Sequence, residues 1–266
     1  MKIGRMLHLE GFVPAFGEPC KGIWNDAQLV ALHTACAIFA SVAITVTPDC
    51  ARIAVPTFKN AATLSLHTVR IGIARPAFSS KVEQMKAAYV AARMRHLSHG
   101  SILVYFELDF AFPPTAASLM RHAFEAAGPA WSVMYTCRRV PTRWGTVNSG
   151  LIAYRAGAAA TCLAARVASE TPRRGQYQHV VDALAKNASD APAVPLHLWR
   201  FPVVVRVAAC PAARLALVSM HPLNALEGNC TRKHIIHFHS YHKKAILRCC
   251  HWERESGRAR CAWDEV

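Results

Sequence analysis

Residues 79–109, SSKVEQMKAAYVAARMRHLSHGSILVYFELD, decide the fold. Ser79 and Ser80 can cap a helix whose positions Val82, Met85, Tyr89, Ala92, His96 and Leu97 recur at roughly helical spacing, so that one face is buried. Gly100 stands where a left-handed helix stop belongs. Ser101 to Phe106 is a continuous apolar run too short for a helix, the pattern of a central parallel strand covered on both faces. The run ends in Glu107-Leu108-Asp109. A chain with only 16 carboxylates places two of them here. Continued alternation turns both to one side, toward a single ion. Open α/β sheets bind ligands at the carboxyl ends of their strands.

The same rhythm extends in both directions. Downstream, Thr115 to Ala127 reads as a helix closed by Gly128, and Trp131 to Thr136 as a strand. Upstream, Asn25 and Asp26 can cap a helix through Ala40, with Leu29, Leu32, Cys36 and Phe39 on one face. Ser41 to Thr47 then alternates, rich in β-branched residues, and stops at Pro48-Asp49. Helices alternating with strands at these spacings predict an open, mixed, mostly parallel α/β sheet flanked by helices. One domain over residues 1–266 is expected, with 1–24 an irregular N-terminal segment.

Ala27 to Pro48 carries no formal charge, and Lys2, Arg5 and Lys21 lie upstream, which is also the pattern of a signal-anchor helix. Gln28, His33 and Thr34 and the capped amphipathic face favour a helix and strand of the folded domain instead. Met1 opens no standard cleavable signal.

Composition narrows the function classes. With 53% apolar and 18% charged residues, a disordered chain is excluded. Lys+Arg number 31 against 16 Asp+Glu, a net charge of +15. That surplus favours polyanions: nucleic acid, an anionic membrane or phosphorylated small molecules. No nucleic-acid-binding motif is legible, and the basic residues are dispersed rather than striped, so nucleic acid is not the favoured partner. Ten cysteines occur without a C-x-x-C pair, which removes the zinc-ribbon and thioredoxin patterns. Their even number fits disulfides, and buried thiols fit equally. The sequons Asn187-Ala-Ser and Asn229-Cys-Thr lean toward the secretory pathway.

Four segments in order carry a family resemblance. Ser80-Lys81 through Asp109 resembles the helix, glycine, apolar strand and acid-x-acid order of nucleotide-diphospho-sugar transferases with the GT-A fold. Val147-Asn148-Ser149-Gly150-Leu151-Ile152-Ala153-Tyr154 looks like their Asn-Ser-Gly strand. Gln176-Tyr177-Gln178-His179-Val180-Val181-Asp182-Ala183-Leu184 is similar to their Asp-Gln helix. Ile235-Ile236-His237-Phe238-His239-Ser240-Tyr241-His242-Lys243 resembles their late His-Phe…Lys motif. The matching core spans about residues 80–247.

The resemblance implies a metal-dependent transfer of a sugar from a nucleotide-diphosphate donor, a UDP-sugar above all, to a hydroxyl acceptor on a glycan or protein. In the family, the last acid of the tripeptide holds Mn²⁺ or Mg²⁺, which implies that role for Asp109, with Glu107 nearer the metal's waters or the donor ribose. The late histidine is a further metal ligand in retaining members, implying His237 and retention. Lys243 then serves the pyrophosphate, Asn148, Ser149 and Gly150 the donor sugar, Lys81 the substrate, and Gln178 catalysis. Mixed oxygen and imidazole ligation suits Mn²⁺ better than Ca²⁺. Asp49 reads either as a uridine or ribose contact or as a turn residue. Such enzymes imply the Golgi lumen, with membrane association, and the cytoplasm is the alternative.

The chain departs from the family pattern in three places. Glu107 stands where aspartate is commoner, Tyr177 replaces the acid before Gln178, and no first strand is legible in residues 1–20. A catalytically impaired relative that keeps the fold is therefore the alternative, along with a basic nucleic-acid-binding module. The tail offers a further reading, in which His234, His237, His239, His242 and His251 with Cys249-Cys250 form a zinc site, at spacings that match no standard finger.

Overall fold

The apolar run after Gly100 is a strand in the computed structural model, which describes residues 9–15, 19–58, 61–68, 78–127, 131–142, 145–174, 177, 180, 214–216, 224–225, 235–237 and 246–264. The elements run β1 (Leu9–Pro14), α1 (Asp26–Cys36), β2 (Ser41–Val46), β3 (Leu64–Thr68), α2 (Phe78–Met94), β4 (Ile102–Phe106), β5 (Phe110–Ala111) and α3 (Ala116–Ala126). They continue with β6 (Trp131–Thr142), β7 (Gly145–Arg155), α4 (Ala158–Arg174), β8 (Arg214–Ala216), β9 (Asn224–Ala225) and β10 (Ile235–His237). A helical turn, Ile246–Cys249, leads into the hairpin β11 (Cys250–Glu253) and β12 (Arg258–Cys261).

Seven strands form the main sheet in the order β3-β2-β1-β4-β7-β6-β8. β1 is parallel to both β2 and β4, β2 to β3, and β6 to β8. β7 alone runs against its neighbours. The sheet is therefore mixed and mostly parallel, with helices on both faces. Alternation along β4 explains the layers. Ile102, Val104 and Phe106 join a core with Leu32, Ala35 and Cys36 of α1 and Met120 and Phe124 of α3. Leu103 and Tyr105 join the opposite core, with Val90 and Met94 of α2 and Leu163 and Val167 of α4. All five β4 residues are buried, as a strand covered on both faces requires.

Three expectations are corrected. Residues 1–24 are not wholly irregular, because residues 9–14 form β1, in the middle of the sheet. Two features disguise that strand. Glu10 is buried within it, neutralised by Arg93 of α2, whose Nε and Nη2 each lie 2.6 Å from a Glu10 carboxylate oxygen. Gly11 is required by close packing, since a Cβ there falls 2.9 Å from Phe39 Cδ2 and 3.1 Å from Phe106 Cε1. The helix expected through Ala40 ends at Cys36. Ala40 instead donates its N–H to the Leu9 carbonyl at 3.0 Å, so the chain leaves the helix to meet β1. Finally, β4 has a parallel neighbour on one side only, β7 being antiparallel.

Gly11→Ala is expected to destabilise the fold by about 1–3 kcal/mol, the usual cost of overpacking a full core. Urea unfolding measures it, and an unchanged midpoint would contradict this packing.

Most of residues 27–48 belong to α1 and β2. Asn25 caps α1 through a reciprocal box with Gln28, as its sequence position predicts. Among the described residues, no helix is long and apolar enough to cross a membrane. Gly100 has φ +86 and sits in the turn that enters β4. Disulfides join Cys20 to Cys50 and Cys250 to Cys261. Cys162 and Cys249 are also disulfide-bonded. Cys36 is a buried free thiol, which burial pushes up to about 11.

Candidate functional site

β4 ends at Phe106, and Glu107-Leu108-Asp109 makes a turn rather than prolonging the strand. The Phe110 N–H donates to the Glu107 carbonyl at 3.3 Å and closes that turn. Strand alternation therefore does not set the two carboxylates side by side. Asp109 is buried, at 2% exposure, while the Glu107 side chain is 27% exposed.

Two other motif segments flank this turn. On one side the Glu107 N–H donates to the Gly150 carbonyl of β7 at 3.1 Å, which brings the Asn148-Ser149-Gly150 backbone beside the acids. Gly150 is buried there. On the other side β10 pairs antiparallel with β5, setting His237 opposite Phe110 and Ile236 opposite Ala111. The His237 backbone thus lies across from the residue that follows Asp109. Ile235 is fully buried and anchors the strand. Two segments more than 120 residues apart in sequence meet at one turn, and a long closure costs little extra entropy.

A charged network ties α2 to the same turn. Lys86 Nζ lies 2.8 Å from Glu107 Oε1 and 2.9 Å from Glu83 Oε1. The Tyr105 hydroxyl donates to Glu107 Oε1 at 3.1 Å. The other Glu83 oxygen, Oε2, accepts the Tyr177 N–H at 2.9 Å. Burial by itself lowers the Lys86 ammonium, but Glu107 and Glu83 outweigh it and hold the group above its usual range. Tyr105 is likewise raised, by burial first and then by the Glu107 charge. Tyr177 is buried, and its hydroxyl shares a 2.6 Å hydrogen bond with that of Tyr154 on β7. The segment resembling the Asp-Gln helix is therefore joined to the acidic turn through Glu83 and Lys86.

The remaining expected site residues are distributed as follows. Asp49 lies in the short turn Pro48–Cys50 just beyond β2, at the sheet edge where β1 and β4 also end. Lys81 is in the first turns of α2. Gln178 and Lys243 lie outside the described residues, as do His234, His239 and His242. The zinc reading of the tail fails at its cysteines, because Cys249 and Cys250 are both disulfide-bonded and present no thiolate.

Lys86, Glu83 and Tyr105 were not legible as site residues. Glu83 and Lys86 sit three apart on a helix, a spacing that reads as a solvated surface pair. Their place in the network depends on Glu107 beyond β4 and on Tyr177, which is 94 residues from Glu83. The chemistry on offer is a buried carboxylate at Asp109, a second carboxylate whose Oε1 is already engaged by Lys86 and Tyr105, and a histidine strand alongside. Among the described residues, no cluster of three or more His, Cys, Asp or Glu side chains is assembled that could hold a metal ion.

No protein-family model matches this chain, and no curated protein does either. Among solved structures, it is similar to a glycosyltransferase involved in the glycosylation of the major capsid of PBCV-1, at 9% identity and a TM-score of 0.47, over 90% of this chain and 97% of that one. It is similar to mouse xyloside xylosyltransferase 1 in its apo form at 11% identity and a TM-score of 0.45, over 89% and 98% of the two chains. A third likeness, at 8% identity and a TM-score of 0.39, is to mannose-6-phosphate isomerase from Helicobacter pylori, over 64% and 80%.

Proposed function

We propose that this chain is a glycosyltransferase that uses a divalent metal to move a sugar from a nucleotide-diphosphate donor to a hydroxyl acceptor. One observation carries the reading. The acidic turn, the Asn-Ser-Gly strand, the His237 strand and the Tyr177 segment are far apart in sequence, yet they meet at the carboxyl end of β4. Ligands bind open α/β sheets at that edge.

Asp109 and His237 are the residues that would hold Mn²⁺ or Mg²⁺. The ion would stabilise negative charge as it develops on the leaving diphosphate. Glu107, with one oxygen engaged by Lys86 and Tyr105, is directed to the metal's waters or the donor ribose rather than to the ion. Lys86 holds that carboxylate in place through its 2.8 Å contact. Asn148, Ser149 and Gly150 would serve the donor sugar, and Asp49 the uridine or ribose. Lys81 assists substrate binding, Lys243 serves the pyrophosphate, and Gln178 acts at the reacting centre. The donor is a UDP-sugar, and retention follows the His237-Phe238…Lys243 resemblance. The Cys20–Cys50 and Cys250–Cys261 disulfides, with the two sequons, support an oxidising compartment, the Golgi lumen first.

The test is UDP release from a panel of UDP-sugars, with and without Mn²⁺. Mn²⁺-dependent release, abolished by a chelator, is expected for at least one donor. Absence of release from every donor, with no UDP binding, would leave a protein that keeps the fold alone.

A further inference from the structure

The C-terminal hairpin carries a feature that the donor site does not use. Cross-strand pairing puts Cys250 opposite Cys261 and Trp252 opposite Ala259, and these four face inward, where Cys250 and Cys261 pack with Ala27, Val30 and Ala31 of α1. The intervening pairs, His251 with Arg260 and Glu253 with Arg258, must face outward. The helical turn before β11 adds Arg248. Arg248, His251 and Arg260 line a cavity of about 150 Å³, completed mainly by Cys249, Cys250 and Cys261. Arg248, His251 and Arg260 are the basic residues of that lining, which includes no acidic residue.

The walls are fixed in position. The Cys250–Cys261 disulfide ties β11 to β12 beside the cavity, and Cys249 is disulfide-bonded as well. Glu253, on the same outer face, has Oε1 3.1 Å from Arg260 Nε and 3.5 Å from His251 Nε2. It holds both side chains while engaging only the Nε edge of Arg260. A guanidinium offers five N–H donors in a planar fork, so the terminal amino groups of Arg260 remain for an anion.

We propose that this cavity binds a tetrahedral oxyanion, a phosphate or sulfate group, either free or carried on a sugar. Its volume suits one such group with a little water, a water molecule taking ~30 Å³. Two guanidiniums match a dianion with several oxygens better than a carboxylate, which one fork already satisfies. The net charge of +15 draws anions toward the surface from a distance. This site is separate from the donor site and stands whether or not the transferase reading holds.

Calorimetric titration with inorganic phosphate, inorganic sulfate and a sulfated disaccharide, at constant ionic strength set by chloride, tests it. Saturable binding to the native chain is expected. Arg248→Ala with Arg260→Ala should weaken it by about tenfold or more, the weight of a charge-assisted hydrogen bond. Arg254→Ala should leave it unchanged, because that guanidinium is held by Asp26 at 2.8 Å and lies outside the lining. Arg248→Gln, which keeps the Arg260–Glu253 pair, gives the same direction should the double variant fail to fold. Preference for the disaccharide identifies a group carried on a sugar, and equal affinities identify the free ion, and either result upholds the site. No saturable binding of any of the three probes, or native affinity in the arginine variants, would overturn it.

Discussion

Asp109→Asn is expected to abolish Mn²⁺-dependent binding of UDP while leaving the fold intact. Asparagine has nearly the shape of aspartate, so the buried turn between β4 and β5 can keep its packing. The substitution removes the charge that a hard cation needs from its oxygen ligand. Losing a charged ligand of the ion is expected to weaken binding by about 3 kcal/mol, more than a hundredfold. Calorimetry of UDP with Mn²⁺ reads the loss directly, and circular dichroism checks the fold. Equal affinity in both proteins would remove Asp109 from the metal site.

The second large effect is expected at Lys86. Lys86→Met keeps the length of the side chain and deletes its ammonium, leaving Glu83 and Glu107 close together without the cation between them. Breaking a buried ion pair by removing one partner costs about 3 kcal/mol, the low end of the usual range because both carboxylates are partly exposed. The pH dependence has a definite sign. The folded state holds the Lys86 ammonium above its ordinary value, since the two carboxylates outweigh burial. Its contribution is therefore complete below about pH 10.4, where the unfolded lysine is also charged, and fades as the pH climbs toward the folded value. Urea unfolding at pH 7 and pH 11 should show a large gap between native and variant at the first and a smaller one at the second. A constant gap would mean that the ammonium is not the stabilising group. UDP binding should weaken as well, because Glu107 loses its clamp and Tyr177 loses a fixed acceptor in Glu83.

Local signals in the sequence match the structure at several elements, although α2 begins at Phe78, ahead of the expected Ser79–Ser80 cap, and ends at Met94, short of His96 and Leu97. The Asn25 cap, the α1 and β2 pair, and the all-buried β4 each follow from spacing within ten or twenty residues. The α3 helix and the start of β6 follow in the same way. What could not be read depends on distant partners. β1 contains a charge, a glycine and a terminal proline, so it resembles a loop until Arg93 neutralises Glu10 and the Phe39 and Phe106 rings occupy the space beside Gly11. α4 is not legible, having Pro172 inside it. The C-terminal hairpin is not legible either, because its outer face is charged and its inner face is closed by a disulfide that spacing alone cannot identify.

The candidate site divides along the same line. Residue types at the end of β4 marked Glu107 and Asp109, yet alternation misjudged their relation, because the chain turns immediately after Phe106. The meeting of His237 with Phe110, and of Gly150 with Glu107, is a property of topology. So is the burial of Lys86 between two carboxylates. Resemblance brought these segments to notice, and the sheet brought them together.

A crystal structure of the full chain soaked with UDP and Mn²⁺, with anomalous data collected for manganese, tests the central claim most directly. The account predicts one strong anomalous peak with Asp109 and His237 among its ligands, at about 2.0–2.3 Å, and the UDP diphosphate completing the shell. A peak away from Asp109, or UDP seated elsewhere with His237 turned from the acidic turn, would contradict it.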